Sequence, residues 1–184
     1  MFKSILRWRG EPDRTEEILG RHLDGDFRAF PMAEGKCSRG QLQAIEKRFG
    51  VKYPEQFTAH VLGRFPGIYI EVKEELWPRP QPYAVGPFWS FLYALHTYTA
   101  APGSESWMRL NVAAEEFMAQ ELRVAPILRI VGDADVYCTT PEGMIVRLLH
   151  ETGELEPVHS DFWTLFENQI QALRDRKIRK QRGS

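Results

Sequence analysis

The stretch that most limits what this chain can fold into is "PILRIVGDADVYCTTPEGMIVRLLH", residues 126–150. It holds three short runs rich in β-branched and apolar residues: "PILRIV" at 126–131, "ADVYCTT" at 134–140 and "MIVRLLH" at 144–150. Between them stand only Gly132-Asp133 and Pro141-Glu142-Gly143, the residues of tight turns. Strands joined so briefly must pair antiparallel, because a parallel crossover needs a dozen or more residues. The same stretch gathers Asp133, Asp135, Cys138 and His150, residue types from which metal and proton-transfer sites are built.

The surrounding chain supplies helices. "DRTEEILGRH" at 13–22 reads as a short helix with acidic residues in its first turn, which suits the positive end of the helix dipole. "LDGDFRAFPMAEGKC", with two glycines and a proline, reads as a loop. Ser38 and Gln41 have capping-box spacing, Leu42, Ile45 and Phe49 follow at helical intervals, and Gly50 sits where a helix stops. Pro54 suits the first turn of another helix, carrying Phe57, Val61 and Leu62 inward.

"GIYIEVKEELW" then switches to a period of two. Ile68, Ile70 and Val72 share one face, with Tyr69, Glu71 and Lys73 on the other. "PRPQPYAVGP" has four prolines in ten residues and is an irregular excursion. "FWSFLYALHTY", 88–98, is apolar on nearly every side, and its pattern does not separate helix from strand. Residues 111–122 predict a helix with Val112, Phe117 and Leu122 inward. "SDFWTLFENQIQALRDRKIRK" predicts a closing helix with Phe162, Leu165, Phe166, Ile170 and Leu173 on one stripe. Helices first, an antiparallel sheet centrally and a helix at the end make an α+β domain at 38–173. A helical extension at 1–37 precedes it and a basic tail at 174–184 follows.

An apolar content of 43% is ample for a core in a chain of 184 residues. Cys37 and Cys138 are too few for a disulfide framework and read as reduced thiols. The start has only a short apolar stretch before charge intervenes, unlike a secretory signal, and no segment has the roughly 20 apolar residues of a membrane span. A cytoplasmic protein with no membrane partner is expected. The net charge of −1 hides an asymmetry: "RDRKIRKQRGS" has six Arg/Lys against one Asp, so the preceding body stands near −6. Such a body suits a basic partner and repels phosphate backbones. The tail reads as a solvated helix end, with nucleic-acid binding the sharper alternative.

Three stretches carry a resemblance. "IEKRFGVKYPEQFTAHVL" at 45–62 resembles the opening signature of the SUKH superfamily through Glu46, Phe49, Gly50, Tyr53, Pro54, Phe57 and Leu62. "LRIVGDADVYCTTPEGMIVRL" resembles its second signature through Gly132, Asp133, Tyr137 and Gly143, and "SDFWTLFENQI" its closing helix. The stretch at 63–67, Gly-Arg-Phe-Pro-Gly, departs from the family's usual Asn-Gly turn. The resemblance implies a mixed sheet flanked by helices and no shared catalytic centre. It implies an immunity protein that neutralises a bacterial polymorphic toxin by direct binding, or a regulatory interaction module with an endogenous partner, as in the fungal cell-wall regulators.

Residue by residue, the catalytic readings lack support. Asp133 and Asp135 lie two apart and could share a strand face as an acid/base pair or as cation ligands, but Gly-Asp also reads as a turn whose carboxylate accepts backbone hydrogen bonds. Cys138 reads as a small core residue. His22, His60, His96, His150 and His159 are scattered, although His150 and His159 could meet across "ETGELEP". No metal-ligand spacing, nucleophile elbow or phosphate loop occurs, so no catalytic residue, metal or cofactor is assigned. The alternative of a small enzyme centres on Asp133, Asp135 and His150. For protein binding the candidates are Glu71, Glu74, Glu75, Trp77, Asp133 and Asp135: an acidic patch with an aromatic anchor, suited to a basic toxin domain such as a nuclease. Each of these also has an ordinary reading, with the glutamates on a solvated face and Trp77 in the core. Trp89, Trp107 and Trp163 read as core.

Overall fold

In the computed structural model, which describes residues 13–118 and 120–183, seven strands form one sheet in chain order, every neighbouring pair antiparallel. The elements are α1 (Arg14–His22), β1 (Phe27–Pro31), α2 (Arg39–Phe49), α3 (Glu55–Leu62), β2 (Ile68–Val72), β3 (Ala94–Thr97), α4 (Leu110–Met118), β4 (Ala125–Val131), β5 (Val136–Thr139), β6 (Ile145–Leu148), β7 (Leu155–Pro157) and α5 (Phe162–Gln181). The fold is α+β, and the 126–150 stretch forms the consecutive strands β4, β5 and β6. The first twelve residues of the expected extension lie outside the described residues, as does Ser184.

The local signals act as physics requires. Asp13 and Ser38 each close a capping box, with Glu16 and Gln41 respectively. Gly50 ends α2 with φ 62°, a conformation that costs a side chain and costs glycine nothing. At the β4–β5 turn Gly132 has φ 87°, and a Cβ there would lie 2.5 Å from the carbonyl oxygen of Phe91. Both terms oppose any side chain, and the obstacle is backbone. Gly132→Ala is therefore expected to lose about 3 kcal/mol of stability. Urea unfolding of the two proteins measures it, and a loss well under 1 kcal/mol would show that the turn relaxes freely.

Two expectations are corrected, one ambiguity is resolved, and the tail is less solvated than read. Residues 27–31, read as loop, form β1, which pairs with β2 through Phe27↔Val72 to Pro31↔Ile68. The run is short and ends in proline, so alternation alone is weak there. Residues 88–98 divide into a single 3-10 turn, Phe88–Phe91, and then β3. All four residues of β3 are buried, because both faces of the sheet are covered there, and period two vanishes from the sequence. In α4 the buried positions are Leu110, Ala113 and Ala114, and Val112 is half-buried. The tail is a helix end as read, α5 continuing to Gln181, but it is not wholly solvated. Lys177 is buried, 2.8 Å from Asp26 and 3.0 Å from Asp24, with its ammonium 4.9 Å from the Phe27 ring centre. Thus the C-terminal turns of α5, the α1–β1 loop and β1 belong to the same body as residues 38–173.

The face of β2 carrying Ile68, Ile70 and Val72 is fully buried. At its centre His60 of α3 lies among Phe57, Phe162, Trp163 and Phe166. Its two ring nitrogens each stand 2.8 Å from a threonine hydroxyl, Nδ1 from Thr15 and Nε2 from Thr97. Thr97 Oγ1 already accepts the Ile68 N–H at 2.9 Å. With the Thr97 hydroxyl oxygen taken by the Ile68 N–H, a consistent arrangement has Thr97 donating to Nε2 and Nδ1–H donating to Thr15. This one neutral ring joins α1, α3, β2 and β3.

Candidate functional site

The polar cluster of the 126–150 stretch is an internal brace. Asp133 accepts the Asp135 N–H at 3.1 Å, and Asp135 accepts the His150 N–H at 2.9 Å. Arg147 of β6 lies 2.7 Å from the Asp135 carboxylate and 3.6 Å from that of Asp133. Both carboxylates are thus occupied in closing the β4–β5 turn onto the end of β6. The contact to His150 is through its backbone, and its ring is exposed. His159 is exposed too, and the two histidines line separate hollows, His159 with Pro54 and Ser160, His150 with Phe117 and Leu149. Cys138 is fully buried, and burial pushes its thiol well above the usual range, so no thiolate is available there. Burial likewise raises Cys37. Among the described residues no three His, Cys, Asp or Glu side chains converge as metal ligands would.

The expected acidic patch is only partly free. Glu71 pairs with Arg79 at 2.6 Å, and that guanidinium also donates to the carbonyls of Val72 and Trp77 while lying 4.2 Å from the Tyr93 ring centre. Glu75 meets Arg28 at 3.2 Å, and Glu74 is exposed. Trp77 corrects the expectation of an exposed anchor, being only 1% exposed. A turn from Lys73, whose carbonyl accepts the N–H groups of Leu76 and Trp77, tucks the indole inward, where Nε1–H donates to the Ser90 carbonyl at 3.0 Å. The Trp89 ring lies 6.3 Å away.

The exposed aromatics are elsewhere. Trp107, expected in the core, is 49% exposed, and Phe30 is 44% exposed. Register brings Phe30 opposite Tyr69 and Tyr69 opposite His96, so all three share the sheet face that Ile68 and Ile70 do not. Trp107 stands on a 3-10 turn, Ser106–Met108, edge-on to Tyr69 at 6.3 Å and to His96 at 5.1 Å. The turn is held firmly. Thr99 donates its N–H to the Met108 carbonyl and accepts that of Leu110, while the Arg109 guanidinium donates twice to the Ser104 carbonyl at 2.9 and 2.7 Å.

The result is an open groove of about 530 Å³, whose walls include Phe30, Met32, Tyr69 and Trp107 and whose rim carries Glu34 and Glu105. Among the described residues neither glutamate has an ion-pair partner. Behind Trp107 the His96 ring is held neutral, with its pKa lowered to about 4 by burial and by the charge of Arg129. Sequence reasoning missed this groove. The one legible signal was Trp107 itself, a bulky aromatic set in the polar, glycine-containing loop "APGSESWM".

No protein-family model matches the chain, and no curated protein matches its sequence. Among the described residues no helix is long and apolar enough to cross a membrane.

Proposed function

We propose that this protein is a non-catalytic protein-binding module of the immunity kind, which neutralises a bacterial polymorphic toxin in the cytoplasm by holding it directly. The observation that carries the reading is the groove at Phe30, Tyr69 and Trp107. Two half-exposed large aromatics on a firmly held frame are the features of an interface anchor, where a few buried aromatics supply most of the binding energy. The SUKH-like motifs support the same reading. So does the body charge near −6, which steers a basic partner toward the surface. The polar residues of the alternative catalytic reading, Asp133 and Asp135, are engaged in bracing a turn.

The test is to tag the full chain, recover it from its own host, and identify what accompanies it by mass spectrometry. A stoichiometric toxin-like protein is expected, and expression of the present chain should then rescue growth of cells making that toxin. A stoichiometric housekeeping protein would replace the immunity reading by a regulatory one. Recovery of no partner from cells producing both would overturn protein binding altogether.

A further inference from the structure

We propose that the groove receives an extended, basic segment of the partner protein, laid as an extra strand along the open edge of β1. One of its apolar side chains enters between Phe30, Tyr69 and Trp107, and flanking lysine or arginine residues meet Glu34 and Glu105. The inference rests on the protein-binding reading and names its surface.

The edge follows from the hydrogen-bond register. Lys73 donates to the Asp26 carbonyl and Met32 to the Gly67 carbonyl. These bonds flank the Phe27↔Val72 and Pro31↔Ile68 pairs, so in the alternation of an antiparallel ladder Arg28 and Phe30 bond to β2. The backbone groups of Phe27, Ala29 and Pro31 therefore face the open side. Phe27 spends its N–H on the Asp24 carbonyl, and proline has none. Among the described residues nothing bonds the Ala29 N–H or the outward carbonyls of Phe27, Ala29 and Pro31, which leaves one donor and three acceptors. A strand added about 4.8 Å away would exchange both bonds with Ala29's backbone and set its next side chain beside Phe30.

One donor is a weak edge, and Pro31 limits its length, which guards against indiscriminate pairing. Selectivity must come from the groove and its rim. The rim selects charge: Glu34 and Glu105 are exposed and unpaired among the described residues, whereas Arg28, on the same face, already meets Glu75. A second copy of this chain fits poorly. Two-fold pairing centred on Ala29 would bring each copy's Glu34 toward the other's Asp24, and the Arg28 it sets beside Phe30 is already engaged by Glu75.

The probe is the heptapeptide Thr-Lys-Thr-Tyr-Thr-Lys-Thr with blocked ends, whose two lysines share the strand face of its tyrosine, titrated into the isotope-labelled full chain and followed by amide chemical shifts. Shifts are expected at residues 28–34, at Tyr69 and at residues 103–108, with slowed hydrogen exchange at the Ala29 amide. Binding should weaken as salt rises from about 0.05 to about 0.5 M, as a charged rim requires. Glu34→Lys with Glu105→Lys, two exposed positions that leave the core intact, should abolish it, and Trp107→Ala should do so independently. The proposal is overturned if the peptide shifts none of these amides, if a peptide with glutamate in place of lysine binds as well, or if the edge instead closes a concentration-dependent dimer. Capture of the host partner undiminished by the double variant would overturn the groove while leaving protein binding standing. Peptide binding with no host partner would do the reverse.

Discussion

Replacing His60 with alanine is expected to cost about 4 kcal/mol, a large share of the roughly 5–15 kcal/mol that holds a domain of this kind together. Two effects add. The ring fills the space among Phe57, Phe162, Trp163 and Phe166, and its removal leaves a cavity that these large side chains refill only in part. It also leaves the buried Thr15 hydroxyl without the ring that meets it at 2.8 Å, and Thr97 with only its Ile68 contact. Urea unfolding should show a midpoint lowered by roughly 2 M with little change in slope. His60→Phe separates the terms: it keeps the volume and loses both hydrogen bonds, so it should cost less than alanine but more than 1 kcal/mol. If both variants unfold like the parent, the threonine–histidine bridge contributes nothing to stability.

The second large effect is a loss of stability on mild acidification. Burial lowers the pKa of His60 to about 4, against a smaller opposing pull from Asp13. Burial, aided by Arg129, lowers His96 to about 4 as well, against the Thr97 backbone contact. In the unfolded chain both return to about 6.5, so between pH 6.5 and 4 the unfolded state binds more protons than the folded one. Stability is therefore fully present above pH 6.5, falls as pH drops toward 4, and loses nothing further from these groups below that. Each ring contributes on the order of 3 kcal/mol across the window. Unfolding free energies at stepped pH values should trace the fall, and His60→Phe should retain only the His96 share. A stability that stays level from pH 7 to 4.5 would mean that the folded protein accommodates both imidazolium ions.

What was legible in the sequence was legible because its cause is local. The Ser38–Gln41 capping box and the stop at Gly50 depend on backbone groups within a turn or two, and both stand as read. The stripe from Phe162 to Leu173 and the alternation of Ile68, Ile70 and Val72 are periodicities of one element against one buried face. Where two faces are covered, as at Ala94–Thr97, the period disappears and the element becomes ambiguous. Where a strand is five residues long and ends in proline, as at Phe27–Pro31, the local signal is weaker than the pairing that forms it.

The candidate site was less legible for a related reason. Trp77 and Trp107 are the same residue type in similarly polar surroundings, yet one is buried by a turn under the proline-rich excursion and the other stands at the rim of a groove. Exposure is a property of the neighbours that fold over a residue, and those neighbours come from elsewhere in the chain. Asp133 and Asp135 met the same limit: their spacing suited a catalytic pair until Arg147, on the next strand but drawn in by pairing, took both carboxylates.

The sequence by itself determined the α+β class, the antiparallel run from 126 to 150, the caps and the core stripe of the last helix, because backbone geometry and side-chain period act over a few residues. Only the tertiary structure decided that β1 lies at the end of the seven-strand order, that His60 bridges two threonines, and that Phe30, Tyr69 and Trp107 form one groove with Glu34 and Glu105 on its rim. Those three aromatics lie on separate segments of the chain, and the strand register that brings them together is set by the burial of the opposite face.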